Sequence, residues 1–136
     1  MAIASINPAT GEVIQTFHAL SPAEIEKKLQ LAVSAFRRER KTAFAERGRR
    51  MIKAAEIVER DKEKFGRLMT LEMGKPLKAA VAEAAKCATA FRYYAENAEK
   101  FLADEIVDTG AKKSFIRYLP IGPILAVMPW NFPSGR

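Results

Sequence analysis

Cysteine and histidine are almost absent from this chain. Its 136 residues include one cysteine, Cys87, and one histidine, His18. These counts exclude a disulfide framework, a Cys-rich zinc site and any site that needs two imidazoles. The seven glycines are scattered, and Gly74-Lys75-Pro76 lacks the hydroxyl and the earlier glycine of a phosphate-binding loop. The sequence therefore predicts no metal site and no nucleotide loop of this kind.

Long apolar runs are also missing. No run approaches the roughly 20 residues that cross a bilayer, and the longest candidate, residues 121–130, is interrupted by Gly122, Pro123 and Pro129. The N-terminus has no basic region followed by an apolar region, so it does not resemble a signal peptide. These absences predict a cytoplasmic protein without a membrane partner.

The composition is that of one globular domain, with 49% apolar and 29% charged residues. The net charge of +7 is local. Residues 27–53 contain ten basic and two acidic side chains, whereas the rest of the chain contains 13 basic and 14 acidic ones. This basic stretch is either a solvated helical surface or an interaction module for nucleic acid or acidic surfaces. We expect a solvated surface and no nucleic-acid partner, because no aromatic residues alternate with the basic ones.

Local patterns predict a short hairpin followed by four helices. Turn residues at 7–11 separate two β-branched segments. Ser21, Pro22 and Glu24 form a capping box that begins the first helix. Asp61 is a candidate cap for the third helix, and Gly74 is expected to end it in the left-handed conformation. The predicted apolar positions of the first helix are Ile25, Leu29, Val33 and Phe36. Those of the second helix are Phe44, Met51, Ile52, Ala55 and Val58. Those of the fourth helix are Leu77, Val81, Ala84, Ala88, Phe91, Ala95, Ala98 and Leu102.

The last part of the chain changes to strand-like patterns. Residues 114–119 suit a strand with Phe115, Arg117 and Leu119 on one side and Ser114, Ile116 and Tyr118 on the other. Residues 124–128 form an apolar run typical of a strand buried on both faces. We therefore predict an α+β fragment that is mainly α, with a short N-terminal hairpin, four helices and a C-terminal β-hairpin at 114–128. A buried strand this close to the end indicates the leading part of a longer protein.

Residues 121–133, with the sequence IGPILAVMPWNFP, resemble the strand-and-turn motif of the aldehyde dehydrogenase superfamily. Three further stretches agree with that family in order and spacing, namely 6–14 (INPATGEVI), 70–77 (TLEMGKPL) and 93–105 (YYAENAEKFLADE). The resemblance is closest to enzymes like succinate-semialdehyde dehydrogenase. It implies an α/β parent fold, with residues 1–136 forming its N-terminal part and stopping at the start of the cofactor-binding sheet. It also implies that the hairpin at 114–128 mediates homo-oligomerisation, so assembly alone is a second alternative function.

By this resemblance, the parent enzyme oxidises an aldehyde through a cysteine thiohemiacetal and passes hydride to NAD or NADP. Asn131 would donate a hydrogen bond to the developing oxyanion, and Met128, Pro129, Trp130 and Asn131 would contact the cofactor. Without the resemblance, Asn131 is a turn residue and Trp130 an ordinary aromatic residue. The nucleophilic cysteine and the basic glutamate of the family have no counterpart here. We therefore expect the chain alone to be inactive and not to bind the cofactor.

Cys87 is not expected to be a nucleophile, although it is the only thiol. It lies beside the apolar stripe of the predicted fourth helix, with no glycine-rich turn and no base nearby in the sequence. His18 belongs to the first hairpin. The sequence predicts a structural or half-exposed thiol.

Overall fold

A computed structural model describes residues 3–128 and 131. The described chain is mainly helical, as predicted, with two small antiparallel hairpins. The elements in chain order are β1 (Ile3–Ile6), β2 (Val13–Phe17), α1 (Pro22–Glu39), α2 (Phe44–Arg60), α3 (Lys62–Met73), α4 (Leu77–Phe101), β3 (Glu105–Ile106) and β4 (Phe115–Ile116).

The predicted N-terminal hairpin is confirmed. Strands β1 and β2 pair antiparallel, with an irregularity in register between Ser5 and Ile6. Asn7 closes the turn, because its carbonyl oxygen accepts from the Gly11 amide at 2.8 Å and its side-chain oxygen accepts from the Ala9 amide at 2.9 Å. Gly11 has a φ of 76°, which favours glycine. Local turn chemistry alone therefore accounts for this hairpin.

Helix α1 begins with the predicted capping box. The Ser21 Oγ accepts from the Glu24 amide at 3.3 Å, and the Glu24 carboxylate accepts from the Ser21 amide at 2.8 Å. The predicted apolar face of this helix is present, but the described residues do not bury it. Ile25, Leu29 and Val33 are 39–57% exposed, and no residue of α1 is buried. The helix is amphipathic, but no other described element packs closely against its apolar face.

Because α1 has no buried residue, its stability depends strongly on local interactions. Replacing Ser21 with alanine is expected to destabilise the helix by about 1 kcal/mol, since the Glu24 amide loses its side-chain acceptor and the Glu24 carboxylate loses the Ser21 hydroxyl as a donor. Amide hydrogen exchange across residues 22–28 measures this change. Ser34→Ala is the control, because Ser34 lies in the same helix away from the cap. Equal exchange rates in the two variants would contradict a stabilising role for the cap.

The core lies where α2 and α3 pack against α4. Met69 of α3 contacts Ala80 and Ala84 of α4, and Val58 and Phe65 cover them from the side. The alanines on α4 have short side chains, so the neighbouring helices approach closely. The buried core between α3 and α4 is therefore formed by only a few side chains.

Gly48 of α2 and Gly66 of α3 each mark a close contact with α4. A Cβ on Gly48 would lie 3.1 Å from the Ala95 carbonyl oxygen, which confirms the close contact expected from a glycine inside a helix. A Cβ on Gly66 would lie 2.5 Å from Val81 Cγ2. Both contacts join α4 to its neighbours, so α4 is the helix on which the other two are assembled.

The buried face of α4 differs from the prediction. The predicted stripe started at Leu77, which is exposed, and included Val81, which is half-buried. Ala84 and Ala88 are buried as predicted, and Ala80, Glu83 and Cys87, which lie outside the predicted stripe, are buried with them. The apolar spacing located the helix correctly. It did not predict that the charged residue Glu83 is buried, because a hydrophobic pattern assigns buried positions to apolar residues only.

The two ends of α3 follow the prediction in part, since the C-terminal end is as predicted and the N-terminal cap is not. Gly74 is left-handed with a φ of 72°, and its amide donates to the Thr70 carbonyl at 2.9 Å. Asp61 occupies the N-cap position but makes no capping hydrogen bond, because its carboxylate accepts from the Arg60 guanidinium at 2.8 Å instead. A Cβ on Gly74 would lie 3.0 Å from Pro8 Cγ, so the α3–α4 loop rests against the N-terminal hairpin.

A C-terminal hairpin is present, but its strands are not those predicted. Strand β4 pairs with β3, with Glu105 opposite Ile116, and not with residues 124–128. Residues 121–128 form no regular secondary structure, and Ile121, Ile124, Leu125 and Val127 are 76–91% exposed. A strand needs a neighbouring strand for its backbone hydrogen bonds, and no described residue provides one here.

Within residues 3–128 and 131, each helix is too short or too polar to span a lipid bilayer.

Candidate functional site

The structure describes two of the four predicted site residues. Met128 and Asn131 are both exposed, whereas Pro129 and Trp130 lie outside the described residues. The backbone oxygen of Asn131 accepts a hydrogen bond from Lys75 Nζ at 3.4 Å. Lys75 lies in the loop between α3 and α4, 56 residues earlier in the sequence. Asn131 is therefore linked to the α3–α4 loop through its backbone oxygen.

Lys75 forms an ion pair with Glu83 of α4, in which the ammonium donates directly to the carboxylate. The two side chains are only 14% and 6% exposed, which makes this pair the most buried of the ion pairs that the described residues form. The surrounding surface of α4 is alanine-rich, since Ala80 and Ala84 flank the glutamate. A charge pair so little exposed to water is held in one arrangement more firmly than a surface pair.

The sequence prediction missed this pair. Lys75 and Glu83 are eight residues apart, which is not the spacing of charge pairs on one helix face. One indication was available, because Glu83 falls on the alanine-rich face of α4, where a charged side chain needs a partner. The sequence could not identify that partner, since it depends on how the α3–α4 loop folds back over the helix.

The group that the sequence resemblance assigns to the site is the side-chain amide of Asn131. A neutral amide donor held in a fixed position stabilises an oxygen that gains negative charge during a reaction. Met128 and Asn131 are both exposed, and Met128 ends a segment that has no regular secondary structure. Across the described part of the chain, no three His, Cys, Asp or Glu side chains are grouped closely enough to hold a metal ion.

Cys87 is a structural thiol, as predicted. Its side chain belongs to the buried face of α4 and is 7% exposed. Burial raises the pKa of the Cys87 thiol, and the nearby Glu83 carboxylate raises this pKa further. Both effects disfavour the thiolate, which is the nucleophilic form of cysteine.

The burial of Cys87 predicts low reactivity toward thiol reagents. We expect the native chain to react with a disulfide reagent about 100-fold more slowly than the chain unfolded in guanidinium chloride, because attack requires an accessible thiolate. The absorbance of the released thiol measures the rate. Ser34→Cys in a Cys87→Ala background is the matched control, since position 34 is an exposed helical site. Equal rates for Cys87 and the control would contradict the assignment.

The basic stretch is partly neutralised by its own carboxylates. Glu46 accepts hydrogen bonds from Arg49 and Arg50, and these bonds lower the pKa of the Glu46 carboxyl. Arg50 also donates to Glu39 at 2.8 Å, which links α2 to the end of α1. The Arg47 guanidinium stacks over the Phe44 ring at 4.3 Å. These contacts favour a solvated helical surface over a docking stripe.

Comparison with known proteins gives one consistent family. The sequence pattern of the family described as the aldehyde dehydrogenase family matches residues 1–135. A probable NADP(+) succinate-semialdehyde dehydrogenase from Synechocystis sp. is 55% identical over 133 residues, which cover 98% of this chain and 29% of that protein. The NADP(+) succinate-semialdehyde dehydrogenase 1 of Mycobacterium tuberculosis is 52% identical over 136 residues, which cover 98% of this chain and 30% of that protein.

Solved structures agree with the sequence comparison. The crystal structure of succinic semialdehyde dehydrogenase from Streptococcus pyogenes in complex with NADP+ matches with a TM-score of 0.92 at 34% identity. The match covers 98% of this chain and 30% of that structure. The chain therefore spans only about 30% of the length of the relatives that it matches.

Proposed function

The chain belongs to the aldehyde dehydrogenase family, and from this premise we propose that it forms the leading part of an enzyme that oxidises succinate semialdehyde to the carboxylate. The observation that carries the proposal is the 55% identity to the Synechocystis succinate-semialdehyde dehydrogenase over 133 residues. The name of that relative also supports NADP over NAD as the hydride acceptor.

In this proposal, Asn131 supplies the oxyanion donor. When a thiolate adds to an aldehyde carbon, the carbonyl π electrons move onto the oxygen, which becomes negatively charged. The neutral Asn131 amide donates to that oxygen without losing a proton of its own, so it stabilises the charge at any working pH. The thiolate, the base and most of the cofactor pocket come from residues beyond this chain, and the bound NADP would accept the hydride.

We also propose that residues 114–128 contribute to self-association of the parent enzyme in the cytoplasm. The two-residue strand β4 leaves one edge without a partner among the described residues, and the apolar side chains of residues 121–128 are exposed. Unpaired strand edges and exposed apolar segments favour pairing with further strands. A second copy of the same enzyme is the partner that the family resemblance implies.

A chimera tests the proposed activity. Residues 1–133 of this chain replace the corresponding segment of the Synechocystis relative, and NADPH formation is followed with succinate semialdehyde as substrate. We expect turnover by the chimera and none by the isolated 136-residue chain, because the isolated chain has no nucleophile for the reaction. The unmodified relative is the control. A folded chimera without turnover, or turnover by the isolated chain, would contradict the proposal.

A further inference from the structure

We propose that Lys75, held in place by Glu83, is a positioning residue for Asn131. The Lys75 ammonium fixes the backbone carbonyl of Asn131 and thereby sets the direction of the Asn131 side-chain amide. The role of that amide rests on the proposed function above, but the anchoring of the turn does not.

Backbone geometry restricts where the Lys75 ammonium can reach. Lys75 lies between Gly74, which is left-handed with a φ of 72°, and Pro76, whose φ is −53°. Proline fixes its own φ and also restricts the residue before it. Gly74 is in addition packed near Pro8 of the N-terminal hairpin. The Lys75 backbone is therefore held from both sides, and the ion pair with Glu83 fixes the position of its ammonium.

Two acceptors of different kinds meet at this ammonium. It donates to the buried Glu83 carboxylate and to the Asn131 carbonyl oxygen, the latter at 3.4 Å. An ammonium carries three donors, so both contacts can be made at once. The carboxylate orients the ammonium within the helical core, and the same ammonium reaches the Asn131 carbonyl.

The burial of the pair argues that it does more than stabilise the α3–α4 corner. Buried ion pairs are often replaceable by apolar residues of similar size without loss of stability, so stability alone does not explain one. An apolar pair at these two positions could not donate to the Asn131 carbonyl. The contact with Asn131 is therefore a property that the charged pair provides and that an apolar pair would lose.

The amide of Asn131 depends on this anchor because its side chain is short. With only two rotatable bonds between backbone and amide, a displaced backbone carries the amide with it. An error of about 1 Å in the position of a reacting or stabilising group can cost about 100-fold in rate. Fixing the carbonyl of the same residue is therefore an effective way to control the amide.

The double variant Lys75→Met/Glu83→Met separates positioning from stability, because it removes both charges together and leaves neither one buried alone. In the full 136-residue chain, we expect the NMR carbonyl carbon resonance of Asn131 to shift to lower frequency while thermal unfolding stays close to that of the parent chain. In the chimera, we expect kcat to fall about 10- to 100-fold with little change in the KM for the aldehyde. The single variant Lys75→Arg should retain part of the parent Asn131 resonance position and part of the parent kcat. Lys78→Met, which replaces an exposed lysine of α4, should change neither the resonance nor kcat.

An unchanged Asn131 resonance and an unchanged kcat in the folded double variant would overturn the proposal and leave a purely structural pair. A shifted resonance in the chain together with an inactive parent chimera would instead sustain the anchor and refute the proposed function. If the double variant does not fold, Lys75→Gln/Glu83→Gln replaces it. The two neutral amides can hydrogen-bond to each other, but the shorter side chain at position 75 does not reach the Asn131 carbonyl, so the same shift and the same loss are expected.

Discussion

Replacing Asn131 with alanine in the chimera is expected to lower kcat by about 10²- to 10³-fold, with a much smaller change in the KM for the aldehyde. The reason is that the amide interacts mainly with the charged oxygen of the transition state, and only weakly with the neutral carbonyl of the bound substrate. Such a loss corresponds to about 3 to 4 kcal/mol of transition-state stabilisation. Steady-state kinetics with varied aldehyde at saturating NADP measures both parameters.

Two further variants define the meaning of this result. Asn131→Asp keeps the shape of the side chain but places a negative charge beside the oxyanion, so its kcat should fall at least as far as that of Asn131→Ala. Asn97→Ala is the matched control, because Asn97 is an asparagine of α4 whose amide donates to the Tyr93 carbonyl at 2.8 Å. A chimera with Asn131→Ala that retains the parent kcat would remove Asn131 from the reaction.

Replacing Gly66 with alanine is expected to lower the free energy of unfolding of the chain by about 2 kcal/mol. In an exposed helix this change would stabilise by up to about 1 kcal/mol, because alanine has the higher helix propensity. Here the added Cβ would lie 2.5 Å from Val81 Cγ2 and 3.0 Å from the Val81 backbone nitrogen. The helices α3 and α4 must separate to relieve the clash. Urea denaturation followed by circular dichroism measures the change.

A double variant tests the physical cause of this loss. Val81→Ala removes the closest atom but leaves the Val81 backbone nitrogen in place, so Gly66→Ala/Val81→Ala should recover only part of the lost stability relative to Val81→Ala alone. Full recovery would indicate that only the valine side chain matters, and not the approach of the two backbones. A Gly66→Ala chain more stable than the parent would contradict the close packing of α3 on α4.

Elements encoded by adjacent residues were predictable from the sequence. The hairpin turn at Asn7–Gly11, the capping box of Ser21 and Glu24, and the left-handed Gly74 each depend on contacts within about five residues. The same is true of the helices, since their apolar spacing repeats locally. Gly48 could be interpreted as a close contact for a similar reason, because a glycine inside a helix is costly without a packing benefit.

Contacts between distant residues could not be predicted in the same way. The apolar face of α1 indicates a helix but not whether anything covers it. Strand β3 has two residues and carries no alternation that could identify it. The Lys75–Glu83 pair and its contact with Asn131 connect three separate parts of the chain, and each residue alone has an ordinary local interpretation. Asn131 itself was identified by family resemblance and not by its local sequence.

The packing of α2 and α3 on α4 also determines the order in which the protein can be made. All of these contacts lie between residues 44 and 101, and contacts between segments close in sequence form quickly. At a synthesis rate of about 5 to 20 residues per second, this helical unit can assemble while a ribosome is still adding the later residues of a protein as long as the relatives. The surface around Lys75 that contacts Asn131 would then be folded before Asn131 is synthesised. Later segments would therefore pack against helices that are already in place.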